Sequence, residues 1–257
     1  GLDEISIVKK LEDFRRMDPS FYYNSFDTIS ATGSNAAITH YRVSLKSNKQ
    51  IKTSEPILLD SGGQYLEGTT DVTRTLIKGR ALTEQKFLYT KVLKGLICLS
   101  KLIWPVGLTG KELDPLARYF LWEYGLDYDH GTGHGVGVFS NVHQGPQGLT
   151  RTNTVPLKPG MILSIEPGVY IEGKLGIRLE NLVYVQRKSG FSVQKKEFLH
   201  FETLTLAPFE KSLTEKKLLS LDELRWLNSY HKNVYEKLSH FLSGSEKVWL
   251  KNTCKPL

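Results

Sequence analysis

Cysteine is scarce in this sequence, and its scarcity limits the kinds of site that the chain can build. Cys98 and Cys254 are the only two cysteines among 257 residues, too few for a disulfide framework or a structural zinc cluster. Cys98 lies in the apolar stretch GLICLSKLIW, where burial in a core is expected. So few cysteines agree with a reducing compartment, and we expect a cytoplasmic protein.

Long hydrophobic runs are also missing. No apolar stretch reaches the roughly 18 residues of a membrane-spanning helix, so we expect no membrane partner. The N-terminal stretch has early acids and apolar residues at helical spacing, which excludes a secretory leader: GLDEISIVKKLEDFRR. No capping residue is evident before it, so this pattern predicts the remainder of a longer helix.

The formal charge of +7 raises the question of a nucleic-acid partner. The basic residues, however, come as scattered pairs without an aromatic-studded basic motif: Lys9-Lys10, Arg15-Arg16, Lys195-Lys196 and Lys216-Lys217. Scattered pairs are typical of solvated protein faces. We therefore expect no nucleic acid among the partners.

Several short apolar runs are rich in β-branched residues and bounded by Gly or Pro, which predicts strands. They read AAITHYRV, PILLDSGGQY, TTDVTRTLI, MILSIEPGVY and GIRLENLVYV. Helical spacing predicts helices over 83–104 and 111–124, the second ending at Gly125, and again over 213–242. Mixed helices and strand hairpins predict an α+β fold.

Two aspartates stand in or beside the apolar runs of LLDSGGQYLEGTTDVTRT. Asp60 closes one run and Asp71 opens the next, with a turn-rich segment between them. A hairpin would bring both carboxylates together, although aspartates in ordinary turns are the plainer alternative. Aspartate is depleted in strands and costly in cores unless it is paired or bound to a metal.

Two glutamates repeat this pattern, because Glu166 ends an apolar run and Glu180 lies inside another. Four neighbouring acids would repel one another strongly unless cations intervened. The stretch HGTGHGVG adds His134, and its four glycines exclude the helix of a zinc protease. One imidazole with four carboxylates suits a dinuclear site for Mn, Co, Fe or Zn, which indicates a metallohydrolase.

These motifs resemble the pita-bread metallopeptidases, a family that includes methionine aminopeptidase, prolidase and aminopeptidase P. HGTGHGVG, NVHQGP and EPGVYIEGKLGIRLEN, with the tail FETLTLAPFE, are most similar to the long, cytosolic type of aminopeptidase P. The resemblance implies a curved, antiparallel-rich sheet flanked by helices. It implies a catalytic domain over 1–200 and a C-terminal extension over 201–257 that forms a homodimer. It also implies upstream domains that this chain lacks.

The resemblance also implies a role for each site residue. Asp60 would bind one metal through both oxygens, Asp71 and Glu180 would bridge two ions, and His134 would be the nitrogen ligand. Glu166 would be both ligand and general base. Three histidines would contact the substrate and share in catalysis, and two residues would support the ligands. They are His40, His130 and His143, with Arg178 and Thr73 in support.

The implied activity is a metal-dependent Xaa-Pro aminopeptidase, which releases an N-terminal residue from peptides with a penultimate proline. The implied cofactors are two divalent ions, Mn in the first place, with Co or Zn as alternatives. Prolidase, which takes dipeptides, shares the ligands and is the first alternative. A non-catalytic module with the same fold is the second, against which the complete ligand set argues.

Overall fold

The computed structural model describes residues 1–190 and 196–257, so Lys195 of the basic pairs lies outside it. The helices within these residues are α1 (Glu4–Arg16), α2 (Thr83–Ser100), α3 (Gly110–Trp122), α4 (Leu221–Leu238) and α5 (Gly244–Thr253). The strands are β1 (Phe21–Asn24), β2 (Ile29–Thr32), β3 (Pro56–Ser61), β4 (Gly63–Tyr65), β5 (Gly68–Thr69), β6 (Val72–Ile77), β7 (Ile103–Pro105), β8 (Gly133–His134), β9 (Gly148–Leu149), β10 (Ile162–Ile165), β11 (Gly168–Ile171), β12 (Leu175–Arg178), β13 (Asn181–Lys188) and β14 (Phe198–Thr203).

The strands pair in antiparallel sheets around the central helix α2. The two main sheets have the orders β2-β3-β6 and β10-β13-β14-β7, and the smaller ones are β1-β4-β5, β11-β12 and β8-β9. Val92, Leu93 and Leu96 of α2 are fully buried, and they belong to one large apolar core with residues of α3 and β13. Mixed helices and antiparallel sheets confirm the α+β prediction.

The predicted hairpin around the two aspartates is present. Strands β3 and β6 pair antiparallel, with Asp60 opposite Thr73 and Ser61 opposite Val72. The small hairpin β4-β5 is inserted between them and pairs with β1. This register places Asp60 and Asp71 at the same end of the two strands.

The strand predicted for AAITHYRV is wrong. Residues 33–37 form a 3₁₀ helix, and the chain that follows is irregular. The side chain of Asn35 donates to the carboxylate of Glu4 and lies 2.8 Å from the Tyr41 hydroxyl, which also contacts Glu4. These distant contacts bend the segment back on itself and override its strand propensity.

Three predicted helix boundaries are also wrong. The helix predicted over 213–242 is shorter, because α4 spans only Leu221–Leu238 and a 3₁₀ turn precedes it. Helix α1 begins at Glu4, because Asp3 is a regular N-cap whose side chain accepts the Ser6 N–H. It is therefore not the remainder of a longer helix. The helix predicted over 83–104 ends at Ser100, and Trp104 instead pairs with Leu199 at the edge of a sheet.

The C-terminal part of the chain packs on the core through α4. His231 of α4 is fully buried, and its Nε2 accepts the N–H of Phe209 at 3.0 Å. The neighbouring Tyr230 hydroxyl accepts from the Arg74 guanidinium at 3.1 Å. The part of the chain that the structure describes contains no helix long and apolar enough to span a membrane.

His231 should make the stability of the protein depend on pH. Burial lowers its pKa from 6.5 to about 4. Between pH 4 and pH 6.5, His231 is therefore protonated in the unfolded chain but not in the folded one. The free energy of unfolding should therefore fall by about 3 kcal/mol as the pH drops from 6.5 to 4. In His231→Gln, which keeps an acceptor for Phe209, urea denaturation at several pH values should show a smaller fall. The exposed His240→Gln should behave like the wild type, and equal slopes for all three proteins would contradict the prediction.

Candidate metal centre

Four acidic side chains and one histidine converge where several strands end. Asp60 lies in β3, and Asp71 immediately precedes β6. His134 ends β8, Glu166 directly follows β10, and Glu180 separates β12 from β13. The structure thus brings together the five side chains that the sequence resemblance implies as ligands.

Because the cluster of acids is buried, it is electrostatically unfavourable unless something neutralises its charge. Asp60, Asp71 and Glu180 are 7%, 6% and 1% exposed. Burial, and then the charges of Asp60 and Glu166, raise the pKa of Asp71 well above its usual range. Burial and the charge of Asp71 do the same to the pKa of Glu180, and burial also raises the pKa of Glu166. Such a cluster needs either protons or cations to neutralise it.

Two carboxylate oxygens without a hydrogen-bond partner in the part of the chain that the structure describes indicate that cations, rather than protons, neutralise this cluster. Within the described residues, Asp60 Oδ1 and Glu180 Oε1 are buried and have no hydrogen-bond partner, which is rare for buried polar atoms. One potential ligand atom from each of Asp71, His134 and Glu180 lies within 4.8 Å of the other two. The donor set is rich in oxygen with one imidazole, and it fits divalent ions.

His134 offers a free nitrogen to the carboxylates. Its Nδ1 lies 3.0 Å from the carbonyl oxygen of Gly135, which can only accept, so Nδ1 carries the proton. Nε2 keeps its lone pair and lies 3.3 Å from Glu166 Oε1 and 3.5 Å from Asp71 Oδ2. A backbone carbonyl commonly fixes the tautomer of a metal-ligating histidine in this way.

Arg178 is a buried cation that contacts the acidic cluster. Its Nη2 donates to Asp60 Oδ2 at 2.6 Å, and its Nε donates to Thr73 Oγ1 at 3.3 Å. Thr73 in turn donates to Glu180 Oε2 at 3.0 Å. Arg178 Nε also lies 4.0 Å from Glu166 Oε2, so Arg178 and Thr73, expected to support the ligands, contact three of the four carboxylates.

His130 lies in the wall of the site with both ring nitrogens engaged. Nδ1 donates to the Gly131 carbonyl at 2.7 Å, so Nε2 accepts from the Tyr170 hydroxyl at 2.8 Å. The Tyr170 hydroxyl in turn accepts from Arg178 Nη1 at 2.7 Å, so hydrogen bonds connect Arg178 to His130 through Tyr170. Burial lowers the pKa of His130 to about 4, and the ring is neutral at pH 7. Sequence reasoning missed Tyr170, although it stands in the motif EPGVY.

A cavity of about 420 Å³ lies against the acidic cluster, a size typical of small-molecule sites. His40, His130 and His143 all line it. The ring of His143 is centred 4.2 Å from that of His134, while His40 is exposed. The three histidines expected to contact substrate therefore surround one space beside the five potential ligands.

Strands β8 and β10 approach each other closely beneath His134. Ser164 Oγ accepts the His134 N–H at 3.0 Å and donates to Glu166 Oε1 at 3.2 Å, another contact that sequence reasoning missed. A Cβ added at Gly133 would lie 1.9 Å from the Ser164 carbonyl oxygen. Glycine is therefore required at position 133 to place His134.

Gly133→Ala should push these strands apart and displace His134. We expect a loss of about 1–3 kcal/mol in the free energy of unfolding and a 10–100-fold loss of divalent-metal affinity. Urea denaturation and calorimetric titration with Mn²⁺ would measure both. Gly131→Ala is the matched control, because its added Cβ would meet a methyl group of Thr150 that can rotate away. Equal losses in the two variants would contradict the prediction.

Comparison with known sequences agrees with this geometry. The sequence of residues 1–187 matches metallopeptidase family M24, and that of residues 197–257 matches the family described as the C-terminal region of peptidase M24. Probable Xaa-Pro aminopeptidase P from Paracoccidioides brasiliensis is 45% identical over the whole chain, and that from Talaromyces marneffei is 46% identical. The chain covers 42% and 40% of these two proteins. It belongs to metallopeptidase family M24.

Solved structures show the same relationship. X-prolyl aminopeptidase from Caenorhabditis elegans, described as a cytosolic enzyme with a di-nuclear active site, matches with a TM-score of 0.95 and 40% identity. That match covers all of this chain and 43% of the other. Prolidase from Pyrococcus furiosus matches with a TM-score of 0.64 and 33% identity, over 70% of this chain and 52% of the other. These matches confirm the expected pita-bread fold.

Proposed function

We propose that this chain is the catalytic part of a metal-dependent Xaa-Pro aminopeptidase, which cleaves the bond between an N-terminal residue and a penultimate proline. One observation carries the proposal: four carboxylates and one imidazole meet beside a cavity, and two of the buried carboxylate oxygens lack a partner among the described residues. The relatives called Xaa-Pro aminopeptidase support this choice over other hydrolases.

Two divalent ions would be held by the five clustered side chains, namely the carboxylates of Asp60, Asp71, Glu166 and Glu180 and the imidazole of His134. When bound, the ions supply Lewis-acid polarisation of the peptide carbonyl and a water nucleophile of lowered pKa. Glu166 would accept the proton of the attacking water, and burial raises the pKa of its carboxyl group, which makes it a stronger base. The Ser164 hydroxyl holds Glu166 Oε1 in place.

The cavity wall accounts for binding of the peptide. Exposed His40 and His143 can donate ring N–H groups to the carbonyl oxygens on either side of the scissile bond. His130 is already held by Tyr170 and provides a rigid, uncharged side of the cavity. Phe26 lines the same space and offers an apolar surface for a proline ring.

The deciding experiment compares peptides that differ by one residue. The metal-free chain is loaded with Mn²⁺ and incubated with an Xaa-Pro-Xaa tripeptide and an Xaa-Pro dipeptide, and the released amino acids are quantified. Release of the first residue from the tripeptide is expected. Cleavage of the dipeptide alone would make prolidase the correct assignment. Absence of both activity and stoichiometric metal would indicate a non-catalytic module.

We infer manganese as the preferred ion, with cobalt or zinc as alternatives. Four carboxylates with one imidazole favour a hard divalent ion over the softer ones that prefer thiolate or several imidazoles. Metal analysis of chain purified from cells grown with balanced trace metals should find about two manganese ions per chain. A clear excess of zinc would overturn this choice.

We further propose that residues 201–257 form an extension that packs on the catalytic domain of residues 1–200 and forms a homodimer. Trp226 packs within the chain, because it stacks on Tyr230 with ring centroids 5.3 Å apart. Trp249 is 58% exposed, and Phe241 is 77% exposed. Light scattering should give twice the monomer mass of 29.1 kDa. A mass of one chain at micromolar concentration would contradict the proposal.

We also propose a cytoplasmic location. Cys98 and Cys254 are free cysteines, which agrees with a reducing compartment. The similar enzyme from Caenorhabditis elegans is described as cytosolic. Fractionation of the source cells followed by immunodetection should place the protein in the soluble cytosolic fraction.

A further inference from the structure

Helix α3 carries a buried ion pair behind the wall of the candidate metal centre. Asp114 and Arg118 are 0% and 2% exposed. Arg118 Nε donates to Asp114 Oδ2 at 2.7 Å, and Nη2 donates to Asp114 Oδ1 at 3.0 Å. A buried pair of this kind contributes little net stability compared with apolar residues of similar size. Its other contacts indicate what it does instead.

Arg118 binds the main chain that leads to His134. Nη1 donates to the Tyr128 carbonyl at 2.6 Å and to Asp127 Oδ1 at 3.0 Å, and Nη2 donates to the His130 carbonyl at 2.7 Å. The guanidinium also lies 3.9 Å over the Tyr128 ring. All five N–H groups of Arg118 are therefore used, three of them on residues 127–130.

Asp114 binds the next part of the same segment. Its Oδ1 accepts the Thr132 hydroxyl at 2.7 Å and the Thr132 N–H at 3.3 Å. Because that hydroxyl proton points to Asp114, the Tyr128 hydroxyl donates to Thr132 Oγ1 at 2.6 Å. The Thr132 carbonyl accepts the N–H of Glu166 at 2.7 Å. One residue, Thr132, therefore links Asp114 to Glu166.

We propose that Asp114 and Arg118 are positioning residues for the hydrolysis. They fix the main chain of residues 130–132, and through it the His130 ring and the backbone of Glu166. The catalytic part of this inference rests on the proposed function, whereas its geometric part rests on the contacts alone. Displacing a general base by about 1 Å costs roughly 100-fold in rate. Weakening the pair should therefore lower kcat more than it raises KM.

The kinetic test uses three variants of the chain loaded with Mn²⁺. Asp114→Asn weakens the ion pair, and Thr132→Val removes only the hydroxyl between Asp114 and Tyr128. Glu223→Gln is the matched control, because Glu223 and Lys94 form a largely buried pair at 2.6 Å between α4 and α2. We expect kcat to fall about 10–100-fold in the first two variants, with KM changed less than about threefold. Glu223→Gln should keep the kcat of the wild type.

The second readout needs no metal and no substrate. Amide hydrogen exchange in the metal-free protein should accelerate at Thr132 and Glu166 by at least tenfold in Asp114→Asn and Thr132→Val. Amides of α2 should change only as far as the global stability changes. In Glu223→Gln, the two reporter amides should follow the global change alone.

These two readouts separate the possible outcomes. Faster exchange confined to residues 132 and 166, together with lowered kcat, supports the proposal. If exchange rises uniformly and kcat per folded molecule stays unchanged, the pair is only structural and the proposal is overturned. A wild-type chain without peptidase activity refutes the proposed function, and the exchange data then still decide whether the pair fixes Glu166. If Asp114→Asn does not fold, Thr132→Val still allows both the kinetic and the hydrogen-exchange measurement.

Discussion

Asp71→Asn should lower the rate of N-terminal residue release by more than about 100-fold at saturating Mn²⁺. The carboxylate lies within reach of His134 and Glu180, where it would help to hold the ions, and an amide cannot supply an anionic oxygen. Loss of a residue that only orients a ligand costs about 10–100-fold, so loss of a ligand itself should exceed that range. The assay uses the Xaa-Pro-Xaa peptide at several metal concentrations. The exposed Asp13→Asn is the control, and a comparable rate loss there would contradict this interpretation.

The same substitution should stabilise the metal-free protein. Burial and the charges of Asp60 and Glu166 disfavour the ionised Asp71 carboxylate, and asparagine removes this penalty. The free energy of unfolding in a chelator should therefore be higher for Asp71→Asn than for the wild type. Added Mn²⁺ at 100 times its Kd should stabilise the wild type by about 2.7 kcal/mol and the variant by less. The order of stability should therefore reverse on adding metal, and urea denaturation with and without Mn²⁺ measures this directly.

Arg178→Met should destabilise the protein by about 3–5 kcal/mol, because it leaves the buried Asp60 carboxylate without its partner. Peptidase activity should also fall at least tenfold, since Arg178 holds both Asp60 and the Tyr170 hydroxyl that fixes His130. Urea denaturation and the tripeptide assay would measure the two effects. Arg178→Lys keeps the charge but offers a single amine, and it should recover stability better than activity.

Arg151→Met is the matched control for this change. Arg151 pairs with Asp127 at the surface, where its side chain is 54% exposed. Surface ion pairs contribute about 0–1 kcal/mol, so this variant should remain close to the wild type in both measurements. Similar losses in the two methionine variants would show that burial of Arg178 has no special consequence.

The elements that position the acids could be predicted from the sequence because their signals are local. The short apolar runs beside Asp60 and Asp71 predict two strands, and the turn-rich segment between them predicts their pairing. Helix α3 and its end were also predictable, since Gly125 has a φ of 67°, which glycine adopts easily. A 3.6-residue or two-residue period is visible without any tertiary information.

Other features depend on contacts between residues far apart in sequence. Nothing local indicates that Glu4 is buried against Asn35 and Tyr41, a contact that excludes the predicted strand. Asp114 and Arg118 stand four residues apart in a helix, a spacing that usually indicates an exposed pair. The pairing of Asp114 with Arg118 could therefore be predicted from the sequence, but the burial of the pair could not. Their partner Thr132 lies within HGTGHGVG, and its position between the two histidines was the available signal.

The hydrogen bonds of His130 also bear on the kind of metal ion that the site would accept. A free imidazole four residues before His134 would offer the site a second nitrogen, and nitrogen-rich sites bind copper and zinc more tightly than manganese. Its Nδ1–H donates to the Gly131 carbonyl oxygen, and its Nε2 lone pair accepts from the Tyr170 hydroxyl. Tyr170 therefore occupies the nitrogen with which His130 could otherwise bind a metal ion.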